Sequence, residues 1–474
     1  MIFSKALRPL ALATILCPAM VPCLAAGDVP ALTLDECLGI ALTDNPTIKV
    51  ADMEVTRVDY SKKDIIGQLL PTIDFGANYN RMVAKQVMYM NMDDFGGFGG
   101  ALGGEEGDEA ASRASSGNGG GLKVGLDNSY SLGFSASLPL IAPQLWKSIS
   151  LSDSQILRSA EVARQSRQNL VNQVKSAYYT LLLAEDSRKV IQESYDMAAL
   201  TNEIYTKQYA AGAASDYDVL RTSVAMKNIE PQILQADIAI KQARLQLQIL
   251  MGVDASFIFT PAARLADYES TMYEDVIANI NPDYTGNADL RLLDIDRTIL
   301  DKNLTIQKLA FSPTLAFVGN YNWTSMSNGN PLKNFRWNPY STVGLSLSFP
   351  IFQGGRRYNA VKQTQIQAAE LSLQRENLER SVAMQVSLAV DNIKMNVKQI
   401  ASCSESVRQA DRAHSIMEKS FGIGAASYLD LRDSELALTQ ARLAYYQAIY
   451  NYLVAGSELE LLLGNAPIDN YTSR

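Results

Sequence analysis

Histidine is almost missing from this sequence, with His414 the single instance. Zinc and iron sites of the usual kind draw on imidazole and thiolate, so His414 reads as a helix-surface or packing residue. Cysteine is nearly as scarce. Of four, Cys17 and Cys23 come before Gly27, and Cys37 and Cys403 are far apart with no CxxC spacing. No disulfide framework is encoded. Basic charge is also short, 42 Lys and Arg against 50 Asp and Glu for a net −8. Without a basic stripe beside exposed aromatics, nucleic acid is a poor partner. Past Ala26 no apolar run is long enough to cross a bilayer as a helix. Membrane-spanning helices are thereby excluded, and any bilayer contact must be made with strands. HExxH, GxSxG and GxxxxGK[ST] are absent too, and Glu105-Glu106 sits among glycines where no rigid shell tunes a carboxylate. The chain reads as no enzyme, with no catalytic residue, cofactor or metal.

What is present begins with Lys5 and Arg8, an apolar stretch from Leu10 to Leu24 broken by Pro18 and Pro22, and the small pair Ala25 and Ala26. This is the pattern of a cleaved signal peptide, residues 1–26. An uncleaved anchor fits poorly because the apolar core is short and interrupted. A lipid on Cys23 fits poorly because Pro22 stands where a small residue is wanted.

The mature chain then runs through one pattern twice. Asn45-Pro46 opens a helical stretch ending at Leu70-Pro71-Thr72, and Asn287-Ala288 opens another ending at Ser312-Pro313-Thr314, an offset of 242 at both ends. Leu138-Pro139-Leu140 recurs as Phe349-Pro350-Ile351 at 211, and Gly212-Ala213-Ala214-Ser215 recurs as Gly424-Ala425-Ala426-Ser427 at 212. Met251-Gly252 and Leu463-Gly464 keep the offset of 212. Such register marks an internal duplication. It divides the chain into a first repeat at 27–251, a linker at 252–286, a second repeat at 287–464 and a tail at 465–474. The drop in offset from 242 to 211 locates an excess in the first copy, mostly in segment 96–121, which holds eleven glycines and Glu105, Glu106, Asp108 and Glu109. That composition predicts a flexible acidic loop.

Large apolar residues alternate with Ser and Gly in Tyr130–Leu138 and again in Val343–Phe349. Ile73, Phe75, Ala77 and Tyr79 alternate in a partner segment, as do Leu315, Phe317, Gly319, Tyr321 and Trp323 in another. Period two predicts four strands in two hairpins, each strand with one greasy and one small polar face. Export, strand lengths near ten residues and the aromatics Tyr79, Trp323 and Trp337 at strand ends favour an outer-membrane barrel over a soluble sandwich. Four strands cannot close a barrel, and an open edge in lipid leaves backbone groups unbonded, so several copies must share one. Two copies would give eight strands and three would give twelve; sequence physics leaves both open.

Neither Gly nor Pro occurs between Pro143 and Gly212, nor again between Gly355 and Gly422. At a rise of about 1.5 Å for each residue, either stretch is a helix of about 100 Å. In the second, Val382, Val386, Ala389, Ile393, Val397, Ile400, Val407, Ala410, Met417 and Phe421 form a coiled-coil-like stripe. Shorter helical segments, Ala213 to Met251 and Ala425 to Leu463, follow the Gly-Ala-Ala-Ser turns, and Pro231 should bend or break the first of them. Added to the helix before the strands, these shorter pieces match the long helices, which gives four pillars per chain.

These residues resemble the outer-membrane efflux protein family over approximately residues 32–464. The marks are Leu34-Asp35-Glu36-Cys37 through Asn45-Pro46, the Leu70-Pro71 and Ser312-Pro313 starts of strands, Phe349-Pro350-Ile351-Phe352-Gln353-Gly354-Gly355-Arg356, and the paired turns. The resemblance implies a mostly α-helical fold with a β-barrel part. Four strands per protomer would enter a shared twelve-stranded transmembrane barrel, and a helical tube would extend into the periplasm. It implies a homotrimer in the outer membrane of a Gram-negative bacterium, in contact with outer-membrane lipid. It further implies docking to a periplasmic adaptor, joined to an inner-membrane pump or ABC exporter. The function implied is the exit duct of a tripartite efflux pump or type I secretion system, conducting passively.

In the family the turns between helices close the tube and carry acidic rings. By resemblance Asp430 and Asp433 fall on ring positions and Asp218 on the gate-latching acid. Gly212, Ala213, Ala214, Ser215, Gly424, Ala425, Ala426 and Ser427 form the tips and adaptor-docking turns. Ala426 and Phe421 replace the family's arginine and tyrosine latch, which leaves closure to packing of Phe421 and Tyr428. The plainer reading of Asp218 and Asp430 is helix N-capping, and the two roles can coexist. The competing function is a periplasmic coiled-coil adaptor, which would explain the signal and the helices but needs no alternating strands flanked by aromatics.

Overall fold

Asn45 and Asn287 start two helices of equal length, α2 (Pro46–Gly67) and α6 (Ala288–Leu309). Asn45 Oδ1 accepts from Thr47 N at 2.7 Å, and Asn287 Oδ1 accepts from Asp289 N and Leu290 N at 3.0 and 3.2 Å. Each cap satisfies amides that the first turn cannot pair internally. These details come from a computed structural model, which describes residues 30–88, 122–124, 126–271, 283–328 and 336–465. The expected signal peptide, the glycine-rich acidic loop 96–121, part of the linker and nearly all of the tail lie outside the described residues.

The remaining elements follow the duplication. Strands β2 (Thr72–Arg81) and β5 (Asn128–Ile141) lead into helix α3 (Pro143–Ala210), then α4 (Asp216–Lys227) and α5 (Glu230–Met251). Strands β7 (Thr314–Ser327) and β8 (Asn338–Ser348) lead into α7 (Arg356–Gly422) and α8 (Tyr428–Leu463). Pro231 sits in the first turn of α5, and the helix breaks just before it. Its counterpart at offset 212 is Leu443, so α8 runs 36 residues without interruption. The turns end alike. Gly212, Gly252, Gly424 and Gly464 all have φ between 70° and 74°. Ala213 N donates to Gln208 O at 2.7 Å and Ala425 N to Ser420 O at 2.8 Å, the six-residue closure of a glycine-terminated helix.

Two units make up the chain, the first from the described parts of Met1–Ala41, Gln173–Asp275 and Asn396–Val454, the second from those of Leu42–Asn172, Val276–Met395 and Ala455–Arg474. In the first unit, α1 (Leu34–Asp44), whose apolar residues Leu34, Cys37, Leu38 and Ala41 recur at helical spacing, buries Cys37 and Leu38. They share the unit's core with Tyr178, Leu181, Leu247, Met251, Phe259 and Ile449. A two-residue parallel ladder joins β1 (Ala31–Leu32) to β6 (Thr260–Pro261), and Tyr178 Oη donates to Leu32 O at 3.2 Å. Burial raises the Cys37 thiol to about 12, which makes it a packing residue without thiolate chemistry.

In the second unit the strands form one antiparallel sheet in the order β2-β5-β7-β8, so the two expected hairpins are joined by pairing of β5 with β7. Short strands β3 (Gln86–Met88) and β4 (Leu122–Val124) form a separate antiparallel pair. The register puts Phe75 opposite Phe134, Tyr79 opposite Tyr130, and Leu315 and Phe317 opposite Leu347 and Leu345. Every one of these belongs to the same face. The other face holds Thr72, Asp74, Asn78, Ser131, Ser135, Asn320, Asn322, Thr342 and Ser346, with Ala316, Val318 and Tyr340 set among them. On the greasy face Ile73, Val343, Leu345 and Leu347 are each at least 66 % exposed. The second unit also ties the two repeats together. Arg164 bonds Glu161 at 2.5 Å and Gly286 O at 3.1 Å, and Gln168 Nε2 donates to Gly464 O at 2.7 Å.

A Cβ built on Gly464 would stand 2.0 Å from Gly286 O, whereas Gly424 has the same left-handed backbone and open space around it. Gly424→Ala should cost about 1–2 kcal/mol for conformation alone. Gly464→Ala should cost about 2 kcal/mol more through overpacking. Thermal unfolding in detergent should rank the two in that order.

Candidate functional site

The turn after α3 and the turn after α7 are built alike, atom for atom. In the first, Ser215 Oγ accepts from Asp218 N at 3.2 Å, while the Asp218 carboxylate accepts from Ser215 Oγ at 2.6 Å and Ser215 N at 3.3 Å. In the second, Ser427 Oγ accepts from Asp430 N at 3.3 Å, and the Asp430 carboxylate accepts from Ser427 Oγ at 2.7 Å and Ser427 N at 3.1 Å. Each is a reciprocal capping box. Hydrogen bonds from the serine side chain, then its backbone, hold both carboxyls below the usual aspartate range. Both therefore stay ionised through the neutral range at the positive end of a helix dipole. The capping role of Asp218 and Asp430 is thus present, and Asp433 is exposed one turn further along α8.

Phe421 and Tyr428 do not close on each other alone. Both pack on Tyr205 of α3, with ring centroids at 6.2 and 5.7 Å, and the Tyr205–Tyr428 pair is edge-on at 77°. Arg221 of α4 lies over the Tyr428 ring at 5.2 Å. The cluster links the ends of both hairpins within one chain. Its energy comes from aromatic burial with a cation–π contact. Ala426 is half-buried and supplies no polar group.

Sequence reasoning missed Tyr205 and Arg221. A position-by-position comparison of the two turns would have flagged Arg221, since its counterpart at offset 212 is Asp433. Tyr205 has no such signal: its counterpart is Met417, an ordinary seam residue.

A family model described as "Outer membrane efflux protein" matches residues 37–253 and 285–465. The chain belongs to this family. As an outer membrane efflux protein it is an outer-membrane exit channel for efflux or secretion, and the periplasmic-adaptor alternative falls away. It is 22 % identical over 337 residues to the outer membrane protein TolC of Vibrio cholerae, covering 70 % of this chain and 76 % of that one. It is 24 % identical over 348 residues to the alkaline protease secretion protein AprF of Pseudomonas aeruginosa, covering 71 % and 70 %. Among solved structures, the CmeC outer membrane channel of Campylobacter jejuni superposes with a TM-score of 0.68 at 17 % identity, over 91 % of this chain and 85 % of that one. The efflux protein therefore has the mostly helical fold with a β-barrel part and an internal duplication.

Replacing Ser215 or Ser427 by Ala removes the hydroxyl arm of one box. Each substitution should cost about 1 kcal/mol locally, read as faster amide exchange over the first turn of α4 or α8 and nowhere else.

Proposed function

We propose that three copies of this chain close a twelve-stranded barrel in the outer membrane and conduct cargo passively outward, with no catalytic step. The observation that carries this is the four-stranded sheet itself. Strands β2 and β8 are its edges, and its greasy face is exposed. In lipid such edges must be paired by neighbouring copies, and the homotrimer that the family resemblance implies would make twelve strands from four per chain. Exposed apolar residues on the helices support the same assembly. Ile366, Leu373, Leu388 and Met395 on α7, and Val50 and Met53 on α2, give the second unit surfaces for neighbouring copies.

In this reading residues 27–251 and 287–464 act as two structural repeats joined by the linker 252–286. The turns at 212–215 and 424–427 dock a periplasmic adaptor, which connects the channel to an inner-membrane pump or ABC exporter. Asp430 and Asp433, repeated three times, form a negative constriction that favours cations. Asp218 serves there as a capping acid, and the Tyr205, Phe421, Tyr428 and Arg221 cluster holds the constriction closed. The second sheet face, mainly hydroxyl and amide groups with Ala316, Val318 and Tyr340 among them, suits a lumen of low selectivity, so selection falls to the constriction and to the pump.

Protein purified from the outer-membrane fraction should give discrete conductance steps in planar bilayers and prefer cations. Asp430→Ala combined with Asp433→Ala should reduce that preference severalfold; unchanged selectivity would remove the acidic ring from the reading.

A further inference from the structure

The two hairpins of the sheet share one register. Thr72 stands opposite Ser137 in the first and Thr314 opposite Ser348 in the second, and Phe75 opposite Phe134 becomes Phe317 opposite Leu345. The duplication offsets, 242 from β2 to β7 and 211 from β5 to β8, carry all ten pairs of the first hairpin onto pairs of the second. Between the hairpins β5 pairs with β7 inside the chain. The same offsets turn β5 into β8 and β7 into β2, the two strands with an open side. The joint inside the chain is therefore a template for the joint that each copy makes with the next.

That template has a notch. Gly133 of β5 stands opposite Asn322 of β7, and a Cβ built on Gly133 would lie 1.8 Å from Asn322 Oδ1. The amide occupies the place that a side chain would take. The counterparts on the open edges are Gly344 of β8 and Asn80 of β2, glycine and asparagine again. Around Gly344, however, a built Cβ meets nothing within 4 Å. Its backbone is not left-handed either, so neither usual reason for a glycine inside a strand exists within its own chain. The neighbouring pair Ser135 and Asn320 recurs as Ser346 and Asn78, and Tyr321 recurs as Tyr79.

We propose that β8 and the partner's β2 pair in the register that β5 and β7 use, so that Asn80 of the partner subunit seats over Gly344 and Asn78 of the partner subunit stands opposite Ser346.

This register also sets Leu345 opposite the partner's Tyr79 and Leu347 opposite the partner's Ala77, which continues the greasy face across the joint. A slip of one residue would turn that face into the lumen. A slip of two residues keeps the faces but moves Asn80 of the partner subunit about 7 Å from Gly344. With every joint alike, each pair of strands adds the same twist and stagger, and the barrel closes without a strained seam.

The register rests on the reading that copies of this chain share one barrel, and the test separates the two. Cysteine pairs are introduced into the detergent-extracted assembly in a Cys403→Ser background, which leaves Cys37, a buried thiol. Asn78→Cys with Ser346→Cys, or Tyr79→Cys with Leu345→Cys, should give covalent dimers and trimers on a non-reducing gel after oxidation. Successive pairs alternate between close and wide spacing, so one of the two is within disulfide reach. Pairs displaced by two residues, Gly76→Cys or Asn80→Cys with Ser346→Cys, should give roughly tenfold less product. Gly344→Val should lower the recovered trimer roughly threefold, and Asn80→Ala in the same chain should restore it. Cross-linking that favours a displaced pair would overturn the register and leave the shared barrel standing, and so would Gly344→Val assembling as well as the parent. A parent chain that stays monomeric and forms no cross-link would overturn both.

Discussion

The hydrogen-bonding groups along strands β2 and β8 constrain everything else in this molecule. Each central strand of the sheet has a partner on both sides, but these two have one. In water such an edge is tolerable, because solvent bonds it; in hydrocarbon each unpaired amide or carbonyl costs several kcal/mol. A sheet with a greasy outer face and open edges is therefore a fraction of a structure, and whatever completes it decides the assembly. Identical copies are the most economical answer, since one β2 edge can pair with the β8 edge of the next chain in a cyclic arrangement.

The duplication shows how such a fragment is built cheaply. One module of helix, hairpin and long helix is used twice, and the caps that define it share their geometry between copies: Asn45 with Asn287, Ser215 with Ser427, Gly252 with Gly464. Where the copies diverge, the divergence has structural consequences. Leu443 in place of Pro231 gives an unbroken helix in the second copy, and Arg221 in place of Asp433 gives the first copy a cation for the aromatic cluster. The joint between copies is made by side chains reaching backbone carbonyls, as Arg164 does at Gly286 and Gly464.

Much of this was legible in the sequence because it is local. Offsets of 242 and 212 fix equal helix lengths, period two marks each strand, and glycine followed by Ala-Ala-Ser marks each turn. What was not legible is long-range. The clasp at Arg164 joins residues 122 and 300 positions apart, and the ladder of Ala31 with Thr260 involves only two residue pairs. Helix α1 is the local exception: Leu34, Cys37, Leu38 and Ala41 at i, i+3, i+4 and i+7 carry its apolar face, and the Thr33–Glu36 capping box marks its start. The turns were located correctly, yet the aromatic cluster depends on Tyr205 arriving from a neighbouring helix, which no spacing rule encodes. Asp218 and Asp430 illustrate a further limit, since an acid three residues past a capping serine satisfies the helix whether or not it also faces a pore.

Copy number is the quantity that bears most directly on how the barrel is completed. Native mass measurement of the protein extracted from membranes in mild detergent, with the micelle stripped in the gas phase, counts the chains in one particle. Three chains, with no stable particle of one or two, is the predicted result. A folded single chain that persists in water without detergent would contradict it.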